Sequence, residues 1–450
     1  MKLLHKLHRS SNSLRELLNQ ATLASPWMLL GILLSFYSMF PWVTANYSGI
    51  SHPMWILVPL MVASLIIYSK FSVKKLLADF HWTVWDTLFL SFVGIVAINL
   101  IFSEIENKER IVRYLFSIML FPYFFSRTIS RGGIKIFVYT TLISSFGFTI
   151  FTLISIVDLG NLTLGQERVY LYSNFPAHQA FPLGMALLAI FLVSSLMLEN
   201  QDNPKINRIM LIVLFGAILT IVFLGSRAVL TACLLASVAT VFLARWKEFK
   251  TKLLCLSVIT CAVIVALAIV PQDKKWFFGQ LLNINGTINA VHKIVSNVEP
   301  NVLPAKAGGC NVKDNSMANR IVLYHEAITA FIQNPIVGVG VGRFGYYSCF
   351  YGFRGELNSP HSTVLHALVE LGLIGGGLFL WLMVGLIFWL LPQMAKEPNL
   401  GTRWGYIISP MFLFSAILDQ ISASYITSVH YYLLAGILVK LREQLHDRQA

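Results

Sequence analysis

Charge is what this chain has least of. Of its 450 residues only 12% are Asp, Glu, Lys or Arg, where soluble domains carry roughly 25%. So sparse a charge cannot hydrate a globular surface, which excludes an ordinary soluble enzyme or binding module. Cysteine is scarce too: five residues cannot build a disulfide framework. Metal-binding signatures are missing. There is no Asp-x-Asp and no His-Glu-x-x-His, although His325-Glu326 supplies the first half of the latter. His361 and His366 are five positions apart, which places them on different faces of one helix. Nor is there a Gly-x-Ser-x-Gly elbow. A two-metal or serine-nucleophile mechanism is disfavoured, and neither a metal nor a cofactor is expected.

Apolar sequence fills the space that charge leaves. Hydrophobic residues make up 56% of the chain and the mean hydropathy is +0.68. Apolar runs of about 18 residues or more recur, each long enough to cross a bilayer as a helix. The predicted fold class is an all-α polytopic membrane protein with about twelve transmembrane helices. The spans fall near 23–43, 53–69, 83–102, 111–126, 134–157, 180–198, 209–224, 228–244, 253–270, 361–391, 406–420 and 425–439. With the N-terminus inside, most Lys and Arg lie in inside segments, and most of the remainder lie in one long outside loop, which the positive-inside rule does not count. The net charge of +13 is therefore topological, and no nucleic-acid partner is expected. The first span follows Lys2, Lys6, Arg9 and Arg15 without an A-x-A cleavage signal, so it is expected to be retained. One integral unit results, in which residues 1–270 form the first nine helices. Residues 271–360 form an outside loop with amphipathic helices, and residues 361–450 form the last three helices and a short tail.

The outside segments hold the chemistry. In the loop from Asp158 to Gln179, Arg168 and His178 stand among aromatics, either as an interfacial belt with a snorkelling arginine or as one wall of a site for a charged or sugar-bearing ligand. Gly225-Ser226-Arg227 must turn the chain between two spans. Arginine at the edge of hydrocarbon is a functional hypothesis by default, with headgroup snorkelling as the bland alternative. In the long loop, Cys310 and Cys349 are placed where an oxidising compartment permits a bridge, whereas Cys233, Cys255 and Cys261 are packing residues inside spans. Residues 317–332 form an amphipathic helix with Ile321, Ile328 and Ile332 on one side and Arg320, Tyr324 and Phe331 along another strip.

An Asn334-Pro335 stop ends that helix and a glycine-rich turn follows. Gly340-Val-Gly342-Arg-Phe-Gly345 satisfies G-x-G-x-x-G literally, but no strand precedes it and no helix follows, so a dinucleotide site is not expected. The glycines instead suit a backbone that approaches a membrane-surface ligand or fits a tight helix crossing. At Ser359-Pro360-His361, Ser is expected as N-cap and Pro as first helical residue. His361 then stands in the first turn, where the helix dipole disfavours imidazolium. An uncharged imidazole is what a general base requires. Asp419-Gln420 and Ser422-Ala-Ser424 interrupt the last spans, most simply as a polar packing seam. Arg168, Arg227, Arg320, Arg343 and His361 all fall on one face. Several arginines with one neutral histidine and no metal motif suit departure from a diphosphate, which guanidinium clamps through paired hydrogen bonds.

On these residues the chain resembles the O-antigen ligase and polymerase family of bacterial inner-membrane glycosyltransferases. The carriers are Gly225-Ser226-Arg227-Ala228, the Arg320 helix ending in Asn334-Pro335-Ile336-Val337-Gly338-Val339-Gly340, and Ser359-Pro360-His361-Ser362 leading to Val369-Glu370-Leu371-Gly372. The resemblance implies a fold like the C-type membrane glycosyltransferases, with a large periplasmic loop between helices 9 and 10 and both termini cytoplasmic. It implies a metal-independent enzyme in which Arg227 and Arg320 hold the diphosphate and His361 is the base. Arg168, Arg343, Tyr324 and His178 are further candidates for binding diphosphate or glycan. The donor would be O-antigen linked to undecaprenyl diphosphate, and the acceptor a sugar hydroxyl of lipid A–core, both within membrane lipid. Ser362 stands where the family often has Asn. A polymerase or a protein O-oligosaccharyltransferase is the alternative within the family. The short tail favours the ligase, because the protein-glycosylating enzymes typically extend further after the last span. A lipid-linked sugar transporter is the alternative of a different class, against which stand the one-sided polar cluster and the lack of internal repeats.

Overall fold

Apolar runs become helices here, and polar caps mark their ends. The structure, a computed structural model, describes residues 26–32, 80–105, 108–129, 131–158, 170–171, 175–197, 204–223, 227–244, 249–269, 316–348, 359–394, 402–422, 425–426 and 428–446, with a few positions between 59 and 69. The first two expected spans thus fall almost wholly outside the described residues, as do Arg168, Gly225, Ser226, Cys310 and Cys349 with their expected bridge.

From the third span onward each expected stretch coincides with a helix. These are α1 (Val84–Phe102), α2 (Lys108–Tyr114), α3 (Phe121–Arg127), α4 (Arg131–Asp158), α5 (Ala177–Leu196), α6 (Pro204–Phe223), α7 (Arg227–Leu243) and α8 (Phe249–Ile269). The amphipathic α9 (Ser316–Gln333) follows, then α10 (Thr363–Met394), α11 (Thr402–Ser422) and α12 (Val429–His446). A π-helical stretch, Leu115–Leu120, joins α2 to α3. Pro122 explains it: proline has no N–H for the carbonyl four residues back and its ring crowds that carbonyl, and Phe121 instead donates to Phe116 O, five residues back. One antiparallel ladder interrupts the helical chain, β1 (Tyr170–Leu171) with β2 (Phe175–Pro176), pairing Tyr170 with Pro176 and Leu171 with Phe175.

Four described helices are long and apolar enough to cross a membrane: Val84–Phe102, Pro204–Val222, Phe249–Ala266 and Thr363–Phe388. Ile101, Phe102, Ile143, Ile212, Phe242 and Phe388 point outward and are exposed. In water such surface would forgo about 25 cal/mol per Å² of burial; against hydrocarbon it is removed from water as well. The described chain is a helical, polytopic membrane architecture. Inside it, α5 packs on α4, α6, α7 and α11, while α10 packs on α1, α9 and α11.

The start of α1 anchors a buried ion cluster. Thr83 and Asp86 form a capping box, and Asp86 also takes a two-pronged grip from Arg127 at the end of α3, Nε to Oδ1 at 2.9 Å and Nη2 to Oδ2 at 3.0 Å. Arg127 Nη1 donates to Glu443 Oε2 at 2.8 Å, and Nη2 also donates to His81 O at 2.6 Å. Lys440 Nζ reaches Glu443 Oε1 at 3.2 Å, and Tyr123 Oη donates to Asp86 Oδ1 at 3.0 Å. Burying charge is costly unless each ion is paired and hydrogen-bonded. Here α1, α3 and α12 meet through ions that satisfy one another.

Candidate functional site

The opposite end of α1 meets a different construction. The stretch 361–391, expected as one span, is broken. Within α10, Gly372 has φ +64° and ψ −163°, which divides it into two helices across a kink. Only glycine tolerates that backbone region. A break inside an apolar helix strands carbonyls on one side and N–H groups on the other, and the chain after α9 satisfies both. Val339 N–H donates to Val369 O (2.8 Å) and Gly340 N–H to Glu370 O (3.0 Å). Beyond the break, Leu373 N–H donates to Pro335 O (2.8 Å) and Ile374 N–H to Ile336 O (3.3 Å). The approach is backbone to backbone. A Cβ on Gly338 would overlap Glu370 C and O, and one on Gly372 would overlap Ile336 C and O. Of the two roles open to the glycines, tight crossing is the one the structure displays. Asn99 of α1 pins the crossing from the side, accepting from Val341 N at 2.8 Å and donating to Val337 O at 3.4 Å.

Glu370 lies at the centre and is 0% exposed. Its Oε1 accepts from Gly342 N (2.9 Å) and Phe344 N (3.4 Å), and its Oε2 from Tyr425 Oη (2.8 Å). His366 Nε2 is 3.1 Å from Oε1, one helical turn away. One carboxylate therefore joins the glycine-rich turn, α10 and the α11–α12 connection. Sequence reasoning missed it, although a lone acid inside an apolar helix is itself a signal of function. Between the two N–H groups that Glu370 holds stands Arg343. Its Cδ lies against Gly340 beside Ser103 Oγ, so that a Cβ on Gly340 would come within 2.9 Å of both atoms. Arg343 Nε is buried and meets no acceptor among the described residues.

α9 covers the crossing. Leu323, Ala327 and Ala330 pack with Val339, Phe344 and Val369 in a small second core, with Phe331, Tyr347 and Leu365 at its edge. The expected isoleucine stripe is not the face that packs there, since Ile328 and Ile332 are exposed. Arg320 and Tyr324 are half-buried.

The start of α10 needs a correction. Ser359 was the expected cap, but α10 begins at Thr363 and Ser362 caps it, its Oγ accepting from Leu365 N at 3.3 Å and its carbonyl from His366 N at 2.9 Å. Ser359 and Pro360 are buried before it. His361 has φ +55°, the one positive value outside glycine among the described residues, and sits one residue outside the cap rather than in the first turn. Its N–H reaches Ser359 Oγ at 3.4 Å. Gln420 of α11 secures this start. Its Oε1 accepts from Ser362 Oγ and Val364 N, each at 3.2 Å, and its Nε2 donates to Thr363 Oγ1 and, at 3.2 Å, to Met383 Sδ. Of the expected polar seam, Gln420 acts as a helix cap; the side chains of Asp419, Ser422 and Ser424 lie outside what is described.

Arg227 is the first residue of α7 and His178 lies in the first turn of α5; the side chains of both fall outside what is described. The structure thus joins the Arg343 turn to Glu370, with the His361–Ser362 start at the other end of that helical segment and α9, which carries Arg320, packed on α10.

The family model described as O-antigen ligase matches residues 211–380. That stretch is of the O-antigen ligase family. It holds both sides of the crossing, α9, and the start of α10, whereas Asn99, Gln420 and Tyr425 reach in from outside the O-antigen ligase match. A comparison with curated proteins finds no match. At the level of the family, the match supports glycosyl transfer of the O-antigen ligase or polymerase type, on lipid-linked glycan in a membrane.

Proposed function

We propose that this protein is an O-antigen ligase that moves glycan from undecaprenyl diphosphate to a sugar hydroxyl of lipid A–core, at the periplasmic face of the bacterial inner membrane. The acceptor oxygen attacks the anomeric carbon while the bond to the diphosphate breaks. His361 takes the hydroxyl proton, and Arg227 and Arg320 neutralise the departing undecaprenyl diphosphate. Both termini would then be cytoplasmic, and the large loop between the ninth and tenth spans periplasmic. Arg168, Tyr324 and His178 are proposed to line the glycan or diphosphate path.

The interlock of the two motifs carries this reading: the Asn334–Gly340 turn and the Val369–Gly372 break supply each other's hydrogen bonds. α9 and the first part of α10 therefore leave one crossing together. Arg320 lies about thirteen residues along α9 from it and His361 about eleven residues from Gly372, roughly 20 and 16 Å at the helical rise. These comparable heights on packed neighbours support a shared site.

Purified protein, lipid-linked glycan and lipid A–core test it. His361→Ala and Arg320→Ala should each lower transfer by about 100-fold or more while the protein stays folded, and transfer should continue in EDTA. Full turnover in either variant would remove that residue from the mechanism. Chain extension of the lipid-linked glycan, with lipid A–core ignored, would make the protein a polymerase.

A further inference from the structure

We infer that Glu370 is a positioning residue that sets Arg343 as an additional phosphate-binding guanidinium, directed at the diphosphate of the lipid-linked donor. The inference rests on the proposed donor; it adds Glu370 to the site and gives Arg343, a candidate from the sequence, a defined role.

The geometry is specific. A single buried oxygen, Glu370 Oε1, accepts from the N–H groups on either side of Arg343, at residues 342 and 344. A turn held at both shoulders cannot swing its central residue. From the other side, Asn99 Oδ1 holds Val341 N, and Arg343 N–H donates to Gly340 O at 3.1 Å. Glu370 is not paired with Arg343: its oxygens accept from two backbone N–H groups and Tyr425 and stand 3.1 Å from His366 Nε2. Among the described residues no carboxylate lies within ion-pair distance of Arg343. Its side chain runs over Gly340 to Ser103, the residue after the end of α1, which is headgroup depth for a span of that length. A rigidly presented guanidinium with no anion among the described residues, at that depth, suits a lipid-borne phosphate. The phosphate could belong to the donor or to bulk phospholipid. The donor is favoured, because the turn that carries Arg343 is clamped to the helix that starts at His361.

Binding of undecaprenyl diphosphate to the full-length protein in phospholipid-free detergent tests this without turnover. Arg343→Ala and Glu370→Ala should each weaken it about tenfold, as expected for one charge-assisted contact. Glu370→Gln keeps an acceptor for the turn and should recover most of the loss. The decisive comparison is the double variant. If Glu370 acts through Arg343, Arg343→Ala with Glu370→Ala binds no worse than Arg343→Ala alone. Additive losses would make Glu370 a support of the fold only. Unchanged binding in Arg343→Ala would overturn the proposal. So would an Arg343→Ala defect that appears only when phospholipid vesicles compete, which would assign the guanidinium to bulk lipid. If wild-type protein fails to bind undecaprenyl diphosphate, the donor assignment and this inference fall together. If it binds but His361→Ala keeps full turnover, only the base assignment fails.

Discussion

The two ends of α1 solve the problem of buried charge in opposite ways. At its start, Arg127 faces Asp86 and Glu443, and Lys440 faces Glu443, so that cation and anion answer each other at hydrogen-bond distance. Near its end the buried carboxylate, Glu370, is satisfied by backbone N–H groups and a tyrosine, and Arg343 Nε on the adjoining turn meets no acceptor among the described residues. The first arrangement has nothing left to offer a ligand. The second does, and it sits on the crossing that the family match spans. Charge balance, more than the number of charges, separates a strut from a site.

Breaking the strut should have the largest effect on stability. Arg127→Met leaves Asp86 buried without its cation and Glu443 with Lys440 alone, a loss of roughly 3–5 kcal/mol. It should appear as a much lower melting temperature in detergent, with the specific activity of the folded fraction retained. Normal melting would mean that the cluster is not the anchor its geometry implies. The crossing comes next. Gly372→Ala combines an inaccessible backbone region with overlap on Ile336, at a cost on the order of 3 kcal/mol. Unlike Arg127→Met, it should abolish activity even in the fraction that remains folded, because the break that aligns α9 with α10 is lost.

The span pattern was legible because a 3.6-residue helix in hydrocarbon leaves its signature in run length alone. The break at Gly372 was not read, yet the clue was present: 361–391 is about 46 Å of helix for a core of about 30 Å. The cap was misplaced because Ser359 and Ser362 are equally good caps, and only the left-handed His361 between them decides where the helix can start. The buried face of α9 was hidden for a similar reason. The crossing selects small residues such as Ala327 and Ala330, which periodicity arguments rank below isoleucine. Glu370, Asp86 and Glu443 were overlooked because a topology count weighs Lys and Arg and passes over acids.

A milder change sharpens the same contrast. Asn99→Ala removes the side clamp from Val341 N–H and Val337 O, worth roughly 1–2 kcal/mol. Because α1 itself is unaffected, the effect should concentrate in the turn. Amide exchange across 337–344 should quicken and the KM for lipid-linked donor should rise severalfold, with little change in melting. A uniform rise in exchange along α1 would instead show that Asn99 supports the helix bundle.

The smallest stability effect is expected at Gln420, where the contrast between strut and site can be drawn most finely. Its amide oxygen and nitrogen hold Ser362, Thr363 and Val364, the three residues after His361. Gln420→Ala removes one cap among several, so about 1 kcal/mol of stability is at stake. The positive φ of His361 is a conformation that a side-chain-bearing residue leaves readily once its surroundings loosen. Turnover should therefore fall by about tenfold with donor KM nearly unchanged, since the Arg343 turn is held by other groups. Gln420→Glu keeps an acceptor for Val364 N–H but loses the donor to Thr363, and should fall between wild type and Gln420→Ala. If Gln420→Ala lowers melting as far as Arg127→Met does while turnover persists, this end of the molecule is a second strut, and His361 does not depend on how α10 begins.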